Sequence, residues 1–120
     1  MKITLEMSVG AYPYAKQVYL NQLTRTDGTL EINEATGMAR GSAQAFVTIF
    51  LAMMSGSTYK RAFNNVTNQF LLESIRKDFG DTYFQKALQA TQGHIDYYST
   101  LEKGNLTGLQ RIVDRLGKFA

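Results

Sequence analysis

The sequence contains no cysteine, so neither a disulfide framework nor a thiolate metal site can form, and a cytoplasmic setting is the expectation. It contains one histidine, too few to assemble a histidine-based metal centre. Apolar runs are short, and the opening MKITLEMSVGAY lacks the basic-then-oily order of a signal peptide, so no membrane association is expected. No stretch alternates with period two, none is low in complexity, and no internal repeat is visible. Excess charge is also scarce: thirteen Lys and Arg against ten Asp and Glu leave +3, a balance shared by nucleic-acid binders and ordinary slightly basic proteins.

What is present is enough apolar material for a core. With 120 residues, 44% of them hydrophobic, the chain is about one domain's worth, and a single helical domain over residues 1–120 is expected. The clearest period lies between residues 39 and 55, where Ala43, Phe46, Val47, Phe50, Leu51 and Met54 share one helix face. The other face carries Ser42, Gln44, Ala45, Thr48, Ala52 and Ser55, small or neutral residues that allow close approach.

A second helix fits Asn65 to Phe79, with Asn64 or Asn65 as N-cap, Val66, Phe70, Leu71 and Ile75 inward, and Gly80 as its stop. A third, capped by Asp81, runs through Phe84, Leu88, Ile95 and Tyr98 to about Lys103, weakened slightly by Gly93. Asn105 is positioned to cap a last helix with Leu106, Leu109, Ile112, Val113 and Leu116 on its apolar side. Pro13 suits the first turn of a helix ending near Leu23, with a weaker helical turn over 5–12 before it. Residues 27–36 predict a short acidic helix closed by Gly37, with Leu30 and either Ile32 or Ala35 inward. The expected fold is therefore all-α: a single compact bundle of five to six helices, in which Phe46, Val47, Phe50, Leu51, Phe70, Leu71, Ile75, Leu88, Ile95 and Ile112 are buried.

The succession of a short helix, the turn 36–38 and a helix opening Arg40-Gly41-Ser42 has the layout of a helix-turn-helix, whose second helix offers its first residues to the major groove. A plain bundle corner has the same appearance in sequence. From Met38 to Lys77 the cations Arg40, Lys60, Arg61, Arg76 and Lys77 face Glu73 alone. Arg40, Ser42, Gln44 and Thr48 are thus candidate duplex contacts. Ser55-Gly56-Ser57 breaks the long helix and is followed by Thr58, Tyr59, Lys60, Arg61 and Asn64 at the start of the next, an arrangement suited to phosphate. Tyr59 either stacks on a base or sugar or packs into the core.

The segments TGMARGSAQAF, MMSGSTYKRAFNN, LLESIRKDFG and KALQATQGHIDYY, in this order, resemble the helical N-terminal region of a group of bacterial HNH-type endonucleases, many of them associated with restriction. The resemblance covers roughly residues 10 to 100 and rests on a glycine-serine helix start, a G-x-x-[YF]-x-R turn and two helix ends, K-D-[YF]-G and H-I-[ED]-Y-Y. It implies a helical module that precedes a nuclease domain and helps it engage DNA.

Catalysis is not expected, because an HNH centre needs a histidine base and further metal ligands, whereas His94 stands alone near a helix end, where a histidine commonly serves terminal carbonyls. Glu31 and Glu34 lack partners for acid–base or metal work, Gly37, Gly41 and Gly56 form no phosphate loop, and Ser42, Ser55, Ser57 and Ser99 have no triad context. No cofactor or metal is expected. Two functions remain: a non-catalytic module that grips duplex DNA through 40–55 and 58–65, or an interaction module, a phage or mobile-element product that docks on a nuclease domain or partner protein, or self-associates as a homodimer. Seven Tyr and seven Phe are more aromatics than a small bundle needs, which favours an interface in the second case.

Overall fold

A computed structural model describes residues 3–102 and 104–118, and the fold is all-α, with six helices and no strand among the described residues. The helices are α1 (Leu5–Tyr19), α2 (Arg25–Thr36), α3 (Arg40–Ser55), α4 (Asn65–Phe79), α5 (Asp81–Ser99) and α6 (Thr107–Gly117). The chain divides into two compact units, one ending at Leu51 and the other starting at Ala52, so the boundary falls inside α3.

In the first unit α1 is longer than expected, because Pro13 sits within it instead of at its first turn. Proline removes the N–H that would bond the Val9 carbonyl. Pro13 and Val9 are both exposed, so water can take that place, while Ser8, Ala11, Tyr12, Ala15 and Val18 are buried on the other side. The chain leaves the helix at Leu20, and Asn21 adopts a positive φ of 61°, so Leu23 lies beyond the helix. Thr24 caps α2 by accepting from the Asp27 N–H at 3.0 Å, which starts that helix at Arg25, two residues earlier than expected. Ile32 is its buried side chain, Leu30 is half-buried and Ala35 is exposed. Phe50 of α3 makes T-shaped ring contacts with Tyr12 and Tyr19 at centroid distances of 5.5 and 6.3 Å, which anchors the core of this unit in aromatic contacts.

The second unit holds an antiparallel α4–α5 pair, with α6 packed against both. Asn64 caps α4, its Oδ1 accepting from the Thr67 N–H at 2.8 Å. The buried face of α4 is Thr67, Asn68, Leu71, Leu72 and Ile75; Val66, expected inside, is exposed, and Phe70 is half-buried. The face is rotated because a polar residue, Asn68, is drawn inward by a partner from the preceding loop. Gly80 ends α4 and also precedes α5, so Asp81 is the first residue of α5 and not its side-chain cap. Leu106, not Asn105, stands at the N-cap of α6, which has no side-chain cap bond. Leu51 and Ile112, expected in the core, are half-buried. The fifth helix ends at Ser99, and Lys103, where its end was expected, lies outside the described residues.

Candidate nucleic-acid interface

The corner between α2 and α3 is three residues long, 37–39, and is held by local hydrogen bonds. Gly37 takes the left-handed conformation (φ 76°) that closes α2, donating to the Asn33 carbonyl, a backbone shape that side-chain-bearing residues rarely adopt. Asn33 Nδ2 then donates to the Met38 carbonyl at 2.8 Å, and the Met38 N–H donates to Thr36 Oγ1 at 3.1 Å. Thr36 in turn donates to the Ile32 carbonyl at 2.7 Å. With Met38 fully buried, the direction in which α3 starts is set by both polar and apolar contacts.

At that start Arg40, Gly41 and Gln44 are exposed and Ser42 is half-buried. Thr48, one turn on from Gln44, is half-buried, and its Oγ1 accepts a hydrogen bond of 2.6 Å from the Arg25 guanidinium. Thr48 is therefore occupied as a hydrogen-bond acceptor for α2, not presented freely to a partner. The face of α3 that looked open in sequence is not uniformly so: Ala45 is buried, Ser42, Thr48 and Ala52 are half-buried, and only Gln44 and Ser55 are exposed. Its neutrality reflects that burial. Beside it lies a cleft of ≈ 300 Å³, lined by Arg25, Thr26, Thr29 and Leu30 from α2 and by Arg40, Gly41, Gln44 and Val47 from α3. No carboxylate among the described residues lines it.

Arg25 did not stand out in the sequence. The signal was Thr24-x-x-Asp27, a Ser/Thr-x-x-acid capping pattern that, read as a helix start, places Arg25 on the first turn of α2.

The segment after α3 is a loop of nine residues, 56–64, and only Asn64 belongs to the start of α4. Thr58, Lys60 and Arg61 are exposed on it. Lys60 and Arg61 thus lie four and three residues ahead of the Asn64 cap instead of within the first helical turn. Lys60 Nζ rests 5.4 Å from the centroid of the Tyr97 ring, a cation–π contact with α5. Thr58 lies over α5 at Gly93, where a Cβ would collide with its Oγ1, so the helix glycine is the opening that lets the loop lie down.

Tyr59 occupies the core, with 3% of its surface exposed, and cannot stack on a base. Its hydroxyl donates to Asn68 Oδ1 at 2.8 Å and also lies 3.2 Å from Thr91 Oγ1. Burial pushes its phenol up to about 12, partly offset by the bond to Thr91. The ring stacks on His94 at 4.6 Å with 13° between planes. His94 Nδ1 is 2.7 Å from the Tyr59 carbonyl, and because a carbonyl only accepts, the proton is on Nδ1. Burial holds the imidazole below its ordinary value of 6.5, opposed by that backbone hydrogen bond. His94 thus ties down the loop carbonyl of residue 59, not the terminal carbonyls of its own helix.

No group of three or more His, Cys, Asp or Glu side chains among the described residues is arranged to hold a metal ion, and no described helix is long and apolar enough to cross a membrane. Comparison with known proteins returns no matching family model, no curated relative and no matching solved structure.

Proposed function

We propose that the chain is a non-catalytic DNA-binding module that engages duplex DNA through the α2–turn–α3 corner and serves a nuclease domain, in the cytoplasm. The observation that carries this reading is the exposed start of α3, Arg40 and Gln44, following a three-residue turn whose geometry is fixed by Gly37, Asn33 and Thr36. Helix-turn-helix proteins meet duplex DNA with such residues: Gln is chemically suited to adenine in the major groove, and Arg to guanine or to the phosphate backbone. Ser42 is at hand beside them. The resemblance to the N-terminal region of HNH-type endonucleases supports the same role. On this reading Lys60 and Arg61 supply sequence-independent phosphate contacts from the 56–64 loop, and Thr58 and Asn64 help to shape that loop.

Fluorescence anisotropy with labelled duplexes at several salt concentrations tests the proposal. Gln44→Ala is expected to change preference among unrelated sequences, with a loss of roughly 1–3 kcal/mol at its preferred base. Undetectable duplex binding by the wild-type protein at low salt overturns it.

A second reading, an interaction module, is favoured by one feature: Leu5 and Val9, 50% and 52% exposed, stand four residues apart on α1 with the exposed Pro13 a further four along. Such a stripe on one helix face suits a protein contact, either self-association or docking on a nuclease. Sedimentation of the wild-type protein and of a Leu5→Ser, Val9→Ser variant separates the two.

A further inference from the structure

The two arginines of the α2–α3 cleft make a site that the sequence does not reveal, since they stand fifteen positions apart. Arg25 and Arg40 line a recess of ≈ 300 Å³ together with Thr26, Thr29 and Gln44. Like charges repel, and a cleft normally balances them with a carboxylate; here none lines the cleft, and neither arginine makes an ion pair among the described residues. Val47, which is buried, and Leu30, which is half-buried, give the recess an apolar part of its lining.

Arg25 is also held in place. One of its five N–H donors is held by Thr48 Oγ1 at 2.6 Å, which orients the planar fork and leaves the remaining donors for a ligand. Gly41 has open space where a Cβ would stand, so nothing obstructs that side of the recess.

We infer that this cleft is a seat for a phosphate group, clamped between the guanidiniums of Arg25 and Arg40, with Thr48 acting as a positioning residue for Arg25. Two planar forks match a tetrahedral oxyanion with several acceptor oxygens, whereas a single carboxylate is satisfied by one fork. The inference deepens the DNA reading and rests on it in naming the source: the phosphate is a backbone phosphodiester flanking the bases that Gln44 approaches, so Arg40 serves the backbone and Gln44 the base edges.

The test has two arms. In the first, inorganic phosphate is titrated into ¹⁵N-labelled full-length protein, following the Gly41 and Thr29 amides and the Arg25 Nε–H. Saturable shifts confined to the cleft are expected, and they vanish in Arg25→Ala, Arg40→Ala. Shifts spread evenly over all exposed cations, or unchanged in that variant, overturn the seat. In the second arm, duplex affinity is measured against salt. Each single alanine variant should reduce the slope of log affinity against log salt by roughly 1, alike on unrelated sequences, with melting temperature as the folding control. Thr48→Val should weaken phosphate binding when Arg25 is present and have no further effect in the Arg25→Ala background. A purely structural brace would instead lower the melting temperature and leave phosphate affinity unchanged, overturning the positioning role. Saturable phosphate binding without any duplex binding supports the seat while removing DNA as its source. Strong duplex binding indifferent to both arginines overturns the seat while leaving the DNA reading standing.

Discussion

The two units place their polar chemistry oppositely. Residues 1–51 carry four Lys and Arg against four Asp and Glu, and their core is apolar and aromatic, built around Ile32, Met38, Phe46 and Phe50. Their most notable polar groups are at the surface, in a cleft lined by Arg25 and Arg40 and by no acid among the described residues. Residues 52–120 carry nine cations against six carboxylates, yet their most organised polar groups, Tyr59, Asn68, Thr91 and His94, are buried and bonded to one another or to backbone. Several of the cations in that unit lie over aromatic rings: Lys60 on Tyr97, Arg76 on Phe84 and Lys86 on Tyr83. Net charge therefore measures a surplus, and the location of a site depends on where cations are left without partners.

The contrast predicts different kinds of fragility. The largest effect is expected in the first unit: Phe50→Ala removes the ring that Tyr12 and Tyr19 contact and should cost about 3–5 kcal/mol in denaturant unfolding, as a large cavity does. A cost below about 1 kcal/mol would show that the aromatic cluster does not hold this unit together.

In the second unit the corresponding weakness is polar. Asn68→Ala leaves the buried Tyr59 hydroxyl without its closest acceptor and the carbonyls of Phe63 and Asn64 without their side-chain donor, and should cost about 2–3 kcal/mol. Tyr59→Phe in the Asn68→Ala background should then add little, so a double-mutant cycle with additive losses would break the idea of one network.

Gly93→Ala is next, at about 1–3 kcal/mol, because the new methyl overlaps Thr58. Combining it with Thr58→Gly should recover most of the loss in melting temperature; no recovery would mean that the helix glycine matters for another reason.

The smallest effect is a dependence on pH. His94 is held neutral in the fold with its pKa below the ordinary 6.5, so its contribution to stability is fully present above that value. It is lost as pH falls through the folded pKa, since the unfolded chain takes up the proton first. Between about pH 7.5 and about pH 5.5 the wild-type melting temperature should drop more than that of His94→Gln. Tyr59 works in the other direction: with its phenol at about 12, its stabilisation is complete below the ordinary 10 and declines above it. Equal acid sensitivity in wild type and His94→Gln would remove the histidine from the account.

Part of this fold is legible in the sequence. The limits of α4, the start of α5 and the stop at Gly37 follow from Asn64, Gly80 and Gly37, residues whose capping chemistry acts within one turn of chain. So does the stripe from Ala43 to Met54, because helical period is a local property. The candidate site was less legible. Arg40 and Gln44 sit at an exposed helix start as expected, but Thr48 is bonded by an arginine twenty-three residues away, and Tyr59 is turned inward to Asn68, Thr91 and His94. An aromatic beside two cations has the same appearance in sequence whether it faces solvent or core.

Sequence alone is enough for an all-α chain, for both ends of α3 and α4 and for the three-residue turn before α3, because each of these depends on neighbours three or four positions apart. Packing settles what sequence leaves open: that Pro13 is carried inside α1, that Arg25 and Arg40 line one cleft with no acid among the described residues, and that His94 secures the loop carbonyl of Tyr59. Those outcomes depend on packing between segments far apart in the chain, where burial and a few directional bonds outweigh local preference.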